Sequence, residues 1–276
     1  MSGGKMAGAT RDDGFLGGRL VLRQPARGYR AGTDAVMLAA ACPARPGERV
    51  LELGCGAGVA LFCLGARVPG VALTGLERQE ELAALARHNV AATGIAARIV
   101  TGDLAQMPAA LRAESFDHVM ANPPFFASGT RAPDAARAAA RHEDTALESW
   151  IDAGLRRLRP GGGLTLIHRA EALDRILVAL AGRAGAVSLL PLAARQGHDA
   201  GRVIITARKG ARGGLRLHAP FVLHARPAHE RDCEDLSAAA RAVLRDGAAI
   251  VAGAEREREV SGDSGAETCC TDSIDP

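Results

Sequence analysis

A chain of 276 residues that is 47% hydrophobic and 24% charged can bury one large core, with or without a small appendage. It has no apolar run of the ~20 residues that span a bilayer, and Met1–Gly14 is polar and Gly-rich, without the apolar stretch of a signal peptide. No membrane-spanning helix and no signal peptide are expected, and a cytoplasmic protein is expected, while a net charge of +3 is compatible with a nucleic-acid partner without demanding one.

Residues 1–14 are expected to be disordered. Arg19–Gln24 alternates in polarity and reads as an exposed strand, which Pro25 ends. Gly28-Tyr-Arg-Ala-Gly-Thr-Asp34 is a loop before a short apolar helix, Ala35–Ala41. Thr33 or Asp34 can cap that helix. The same residues can also form a lid over a ligand, and the two roles are compatible.

Val50–Leu53 reads as a buried strand and Val59–Val68 as a helix, with Gly54, Gly56 and Gly58 between them. Glycines let the backbone turn sharply and let a ligand approach closely, and the helix start offers free N–H groups. This unit suits a dinucleotide or S-adenosylmethionine (SAM). Cys55, inside the turn, is small and reads as packing. The other cysteines, Cys42, Cys63, Cys233, Cys269 and Cys270, form no Cys-x-x-Cys pair with it or each other. Reduced thiols and no metal site are expected.

Val71–Leu76 is a second strand, with Glu77 just past its end. Its distance from Gly54 is close to the ~20 residues at which an acidic group meets ribose hydroxyls. Gln79–Ala92 is a long helix with Leu82, Leu85, Ala86 and Val90 on one face. Ala97–Val100 is a third strand, leading to Gly102-Asp103. A fourth, Asp117–Ala121, runs into Asn122-Pro-Pro-Phe125. A dehydrogenase has no use for that tetrapeptide at a strand end, whereas an amino-group methyltransferase does.

Ser128–His142 is rich in Ala and Arg, and its sequence does not decide between loop and helix. Thr145–Leu158 is helical, Arg159–Gly163 is a turn and Leu164–His168 is a fifth strand. A helix over Ala170–Gly182 precedes two strands, Val187–Leu192 and Arg202–Ala207, which pair as a hairpin. Leu217–His224 adds an edge strand. Regular alternation of strand and helix up to about residue 182 gives a parallel sheet covered on both faces, to which the hairpin adds one antiparallel strand. Residues 254–276 are polar, acidic and free of aromatics, so disorder is expected.

Taken together, the glycine turn, Glu77, Asp103 and Asn122-Pro-Pro-Phe125 resemble those of class I SAM-dependent methyltransferases over about residues 15–210. Gln24-Pro-x-x-Gly-Tyr-Arg-Ala-Gly-Thr-Asp-Ala35 resembles the bacterial branch that methylates N6 of an adenine beside the anticodon of valine tRNA. The resemblance implies an α/β, Rossmann-like, seven-stranded, mostly parallel sheet with helices on both faces and one antiparallel strand from the C-terminal hairpin. The methyltransferase domain would span residues 15–253, with 15–48 as a segment closing over the cofactor.

The implied roles follow position by position. Gly54, Cys55, Gly56 and Gly58 approach the methionine part of SAM, with Glu52 in the same motif. Glu77, followed by Arg78, accepts bonds from the ribose. Gly102, Asp103 and the backbone at Leu104 meet the adenine ring. Arg30, Gly32, Thr33 and Asp34 close over the methionine end, and Asn122 faces both cofactor and substrate. The Asn122 side-chain oxygen and the Pro123 carbonyl each accept one amino hydrogen, while Pro123 and Pro124 stiffen the loop. Phe125 offers a face for a stacked base. Phe126, Arg131, Arg137 and Arg141 are candidate substrate contacts, with His142, Arg156, Arg157 and Arg159 as further phosphate contacts.

An RNA partner, most simply tRNA, and a monomer are expected. Alternatives are methylation of a protein glutamine amide, as in the release-factor enzymes, or of an adenine in another RNA or DNA. Those release-factor enzymes carry a longer helical N-terminal domain, whereas about 48 residues precede the first glycine-motif strand here. An oxidoreductase leaves Asn122–Phe125 without a role, and an inactive SAM-binding protein does not need Asn122.

Overall fold

A computed structural model describes residues 9–28, 30–125, 145–226 and 235–250. The sheet is built from β3 (Arg49–Leu53), β4 (Ala72–Glu77), β5 (Ala97–Thr101), β6 (Phe116–Ala121), β7 (Leu158–Arg169), β8 (Ala184–Ala193) and β9 (Ala200–Lys209). In space they run β8-β9-β7-β6-β3-β4-β5. β9 is antiparallel to both neighbours, and every other pair is parallel. This is the expected α/β arrangement with its single antiparallel strand. Two short strands, β10 (Arg216–Leu217) and β11 (Phe221–Val222), each pair with β8 and bring the sheet to nine. The edge strand expected over Leu217–His224 is split because Pro220, between the two pieces, has no N–H to give.

The helices are α1 (Thr33–Ala41), α2 (Val59–Arg67), α3 (Glu80–Thr93), α4 (Ala109–Arg112), α5 (Leu147–Arg157), α6 (Leu173–Leu180) and α7 (Ala238–Leu244). Strand alternation feeds two cores, one on each face of the sheet. Val50, Leu73, Met120, Ile167 and Ile204 point into the layer of α1, α2 and α7. Their neighbours Leu51, Leu76, Val119, Leu166 and Ile205 point into the layer of α4, α5 and α6.

The structure corrects several local expectations. Residues 10–14 are ordered: Thr10–Phe15 forms β1, antiparallel to β2 (Leu20–Pro25) in a separate hairpin. Its polarity hides this, because Arg23 pairs with Asp12 at 2.9 Å while Phe15, Leu20 and Leu22 supply the buried face. The remaining terminal residues assigned to disorder, 1–8 and 254–276, lie outside the described residues. Arg159–Gly163 is no turn but the start of β7, where the register with β6 shifts between Phe116 and His118. Glycines in that stretch accommodate a bulge instead of ending a strand. The 170–182 helix opens with a 3-10 turn, Ala170–Ala172, and ends at Leu180. On α3 the buried face is Ala83, Leu85, Ala86 and Asn89, with Leu82 and Val90 only half-buried, because it is centred on a polar residue.

Candidate active site

The parallel register sets the site. Leu53 lies level with Leu76 on β4 and Ala121 on β6. Gly54, Glu77 and Asn122 therefore leave the sheet side by side at its carboxyl edge. The chain winds outward from β3 through β4 to β5, then returns to β6 on the other side of β3. The gap between β3 and β6 is thus the topological switch point, where open α/β sheets bind ligands.

The turn is shaped by contacts that only glycine permits. Gly54 has φ +63°, and a Cβ there would lie 2.4 Å from the Trp150 ring of α5. Gly58, at φ +88°, starts α2, and a Cβ would strike Phe62 at the same distance. At Gly56 the space where a Cβ would stand is open. Cys55 is buried, with its sulfur where a Cβ on Gly75 would have to go, so its side chain packs inward as expected. Burial raises its thiol pKa well above the ordinary value, as it does for Cys42 and Cys63, both pushed to about 12.

Glu77 closes the turn from below. Its carboxylate accepts the Gly56 N–H at 2.8 Å and the Gln79 N–H at 2.8 Å. One bond on each oxygen leaves a lone pair on each for a further donor. Asp103 accepts the Ala105 N–H at 2.8 Å, which fixes its carboxylate just past β5 beside half-buried Gly102 and Leu104. Arg78 is exposed at the end of β4. An open glycine backbone, flanked by two carboxylates held at successive strand ends, fits a ligand with a hydroxylated sugar and a purine. Glu52 lies beneath the turn instead, 4% exposed, with a hydrogen bond to the Leu61 backbone at the start of α2. Burial, with nearby Glu77 adding to it, raises its carboxyl well above the ordinary range.

The segment from Arg30 to Asp34 is tied down by β1 and β2. The buried Gln24 amide accepts the Ala31 N–H at 2.9 Å and donates to the Ala31 carbonyl at 3.2 Å and to Asp13 at 2.9 Å. Arg30 donates to the same Asp13 carboxylate at 3.2 Å. The expected side-chain cap of α1 is absent: Gly32 is the N-cap and no side chain caps it. Asp34 instead accepts from Arg202 Nε of β9 at 3.1 Å. Gly32 and Thr33 are exposed at the rim.

Asn122 and Phe125 are half-buried, Pro123 is buried and Pro124 exposed. Phe125 meets the His168 ring edge-on, with centroids 4.9 Å apart at 86°. The Arg202 guanidinium stands over the Phe125 ring at 4.6 Å, with that of Arg169 at 5.9 Å. Burial lowers the His168 pKa, and the nearby Arg175, Arg202 and Arg169 cations lower it further, so this ring stays neutral near pH 7.

Phe126, Arg131, Arg137, Arg141 and His142 lie outside the described residues. Arg156, Arg157 and Arg159 are in the wrong place for the phosphate role expected of them. Arg156 pairs with Asp152 at 2.9 Å and Arg159 with Asp117 at 2.7 Å. Arg157 donates to the carbonyls of Leu111, Arg112 and Glu114. All three belong to the amino edge of the sheet, because α5 runs antiparallel to the strands and its C-terminus points away from the site. Three residues packed around Phe125 had no motif to announce them: His168, Arg169 and Arg202. Among the described residues, no group of His, Cys, Asp and Glu could hold a metal, and no helix is long and apolar enough to cross a membrane.

Residues 31–183 match the sequence model of the methyltransferase small domain. A tRNA1(Val) (adenine(37)-N6)-methyltransferase of Porphyromonas gingivalis is 35% identical over 56% of this chain and 64% of that protein. One from Aeromonas hydrophila is 30% identical over 72% of this chain and 85% of that protein. The chain thus spans under two thirds of the first of these relatives. Among solved structures, a predicted O-methyltransferase of Agrobacterium tumefaciens superposes with a TM-score of 0.64 at 28% identity, covering 79% of this chain and 98% of that one. A Thermus thermophilus 16S rRNA guanine-N2 methyltransferase, solved with AdoMet and guanosine, shares the fold at a TM-score of 0.51 and 19% identity, over 73% of this chain and 50% of that one.

Proposed function

We infer that this chain, which belongs to the methyltransferase small-domain family, methylates the exocyclic N6 amine of an adenine in RNA, with tRNA as the substrate and SAM as the donor. The observation that carries this is the juxtaposition of Asn122 with the glycine turn across the β3–β6 gap, with Phe125 three residues further along the same loop. The relatives named for adenine-37 N6 methylation of tRNA point to the same acceptor.

The residues divide the task. Gly54 and Gly56 leave their backbone open to the methionine part of SAM, Glu77 takes the ribose hydroxyls and Asp103 the adenine. Arg30 to Asp34 close the methionine end. Bound there, SAM supplies an electrophilic methyl on a sulfonium sulfur. An amine conjugated to its ring is a poor nucleophile because its lone pair is delocalised. Asn122 oxygen and the Pro123 carbonyl each accept one amino hydrogen, which holds the nitrogen nearer to tetrahedral and aims its lone pair. An amide cannot take up the proton as a carboxylate would, so the residues act by orientation and charge stabilisation and the surplus amine proton passes to solvent. Phe125 supports the extruded base, which has to leave its stack to reach the site.

The test is transfer of labelled methyl from SAM to bulk tRNA, followed by digestion to nucleosides. Label in N6-methyladenosine is expected, with Asn122→Ala lowering kcat about 100-fold or more, the scale of losing a preorganised transition-state contact, while SAM affinity stays within about twofold. Label confined to a protein acceptor would move the assignment to glutamine methylation.

A further inference from the structure

We propose that Arg202 is a positioning residue that couples the methyl-donor segment to the acceptor loop. The inference rests on the active-site reading above and goes beyond it, since Arg202 belongs to none of the motifs that define that site. The side chain comes from β9, the antiparallel strand inserted next to β7, and reaches across the carboxyl edge of the sheet. Its Nε is 3.1 Å from Asp34 Oδ2, in the first turn of α1, and its guanidinium carbon is 4.6 Å from the centre of the Phe125 ring. One rigid, planar group thus touches both the segment assigned to SAM and the aromatic assigned to the base.

The chemistry of arginine suits this double contact. The fork can donate along its edge to a carboxylate while its flat face lies on an aromatic ring. Lysine can do the first but not the second. Arg202 and Asp34 are about one-third exposed, with side chains 34% and 27% accessible, so the ion pair is screened but not lost to water. The environment adds direction. His168 meets the ring edge-on and Arg169 stands 5.9 Å from its centre, so Phe125 is held from several sides and Arg202 is the contact that also leads to Asp34. A base stacking on the Phe125 face that Arg202 covers has to move the guanidinium, and that movement is felt at Asp34.

A mutant cycle separates this from simple packing. SAM affinity is measured by calorimetry, and kcat and KM for tRNA by methyl transfer, in the full chain and in Arg202→Ala, Arg202→Lys, Asp34→Asn and Arg202→Ala/Asp34→Asn. Arg202→Ala is expected to weaken SAM binding about fivefold, the scale of a part-exposed ion pair, and to lower kcat as well. Arg202→Lys should keep SAM affinity within about twofold of the parent, since it retains the charge, yet lose kcat like Arg202→Ala because the planar overlay is gone. The double variant should bind SAM no more weakly than Arg202→Ala alone, the non-additivity of two partners in one contact. Additive losses, or Arg202→Ala with parental affinity and kcat, would overturn the proposal. A merely structural role would lower the melting temperature and affect Arg202→Lys and Arg202→Ala alike in SAM binding, which also overturns it. If the parent itself methylates no RNA, the functional reading fails, while the affinity cycle still decides whether Arg202 and Asp34 are coupled.

Discussion

Glu52 shows how one buried carboxyl shapes the stability of the site. It lies 4% exposed beneath the glycine turn, where burial holds its pKa well above the ordinary 4.5 and the Leu61 hydrogen bond only partly opposes this. The folded chain therefore keeps a proton that the unfolded chain releases once the pH passes 4.5. Wherever the folded state binds more protons than the unfolded one, stability falls as pH rises. A Gln at this position cannot release a proton. Glu52→Gln is expected to gain stability over the parent by an amount that grows as the pH rises above 4.5, read from urea midpoints with an unchanged slope. A difference that stays flat with pH would mean that the carboxyl is ionised in the fold.

At the scale of elements, the N-terminal hairpin is fastened to the cofactor turn through one side chain. Asn89, fully buried on α3, accepts the Arg23 N–H at 2.9 Å and donates to the Arg23 carbonyl at 3.0 Å and the Ala57 carbonyl at 2.9 Å. Arg23 is on β2 and Ala57 is in the glycine turn, so three elements meet at this amide. β2 in turn carries Gln24, which holds Ala31 and hence the 30–34 segment. Truncation leaves one buried and two part-buried backbone groups without this partner, each costing on the order of 1 kcal/mol. Asn89→Ala is expected to lose about 2–4 kcal/mol on this account and to weaken SAM binding as well, measured by denaturant melts and calorimetry. A variant that loses stability but binds SAM like the parent would show that the hairpin and the turn are not linked in this way.

At the scale of the whole molecule, the described residues carry arginines at both edges of the sheet. The carboxyl edge carries Arg169 and Arg202 around Phe125, while Arg156 and Arg159 sit at the amino edge, each in an ion pair. Phosphate contacts release counterions and give RNA affinity its salt dependence. Arg156→Ala/Arg159→Ala is therefore expected to bind tRNA with parental affinity and an unchanged slope of log affinity against log salt. A flatter slope would place RNA on the amino edge as well.

Much of this was legible in the sequence because it is local. Val50–Leu53 followed by Gly54, Gly56 and Gly58 has one way to be satisfied, a buried strand turning sharply into a helix, and Glu77, Asp103 and Asn122 declare themselves by ending apolar runs. Parallel pairing then brings strand ends together whatever lies between them, so the acidic and amide groups of the site could be read from spacing. The tertiary structure alone decided the contacts that close the site. Arg202 and Asp34 are 168 residues apart, and Asn89 and Arg23 are 66 apart. No periodicity carries such a pairing, which depends on where β9 inserts and how α3 meets β2. The placement of Arg156, Arg157 and Arg159 was hidden for the same reason. A run of arginines reads alike on either edge of a sheet, and only the antiparallel course of α5 assigns it to the edge away from the chemistry.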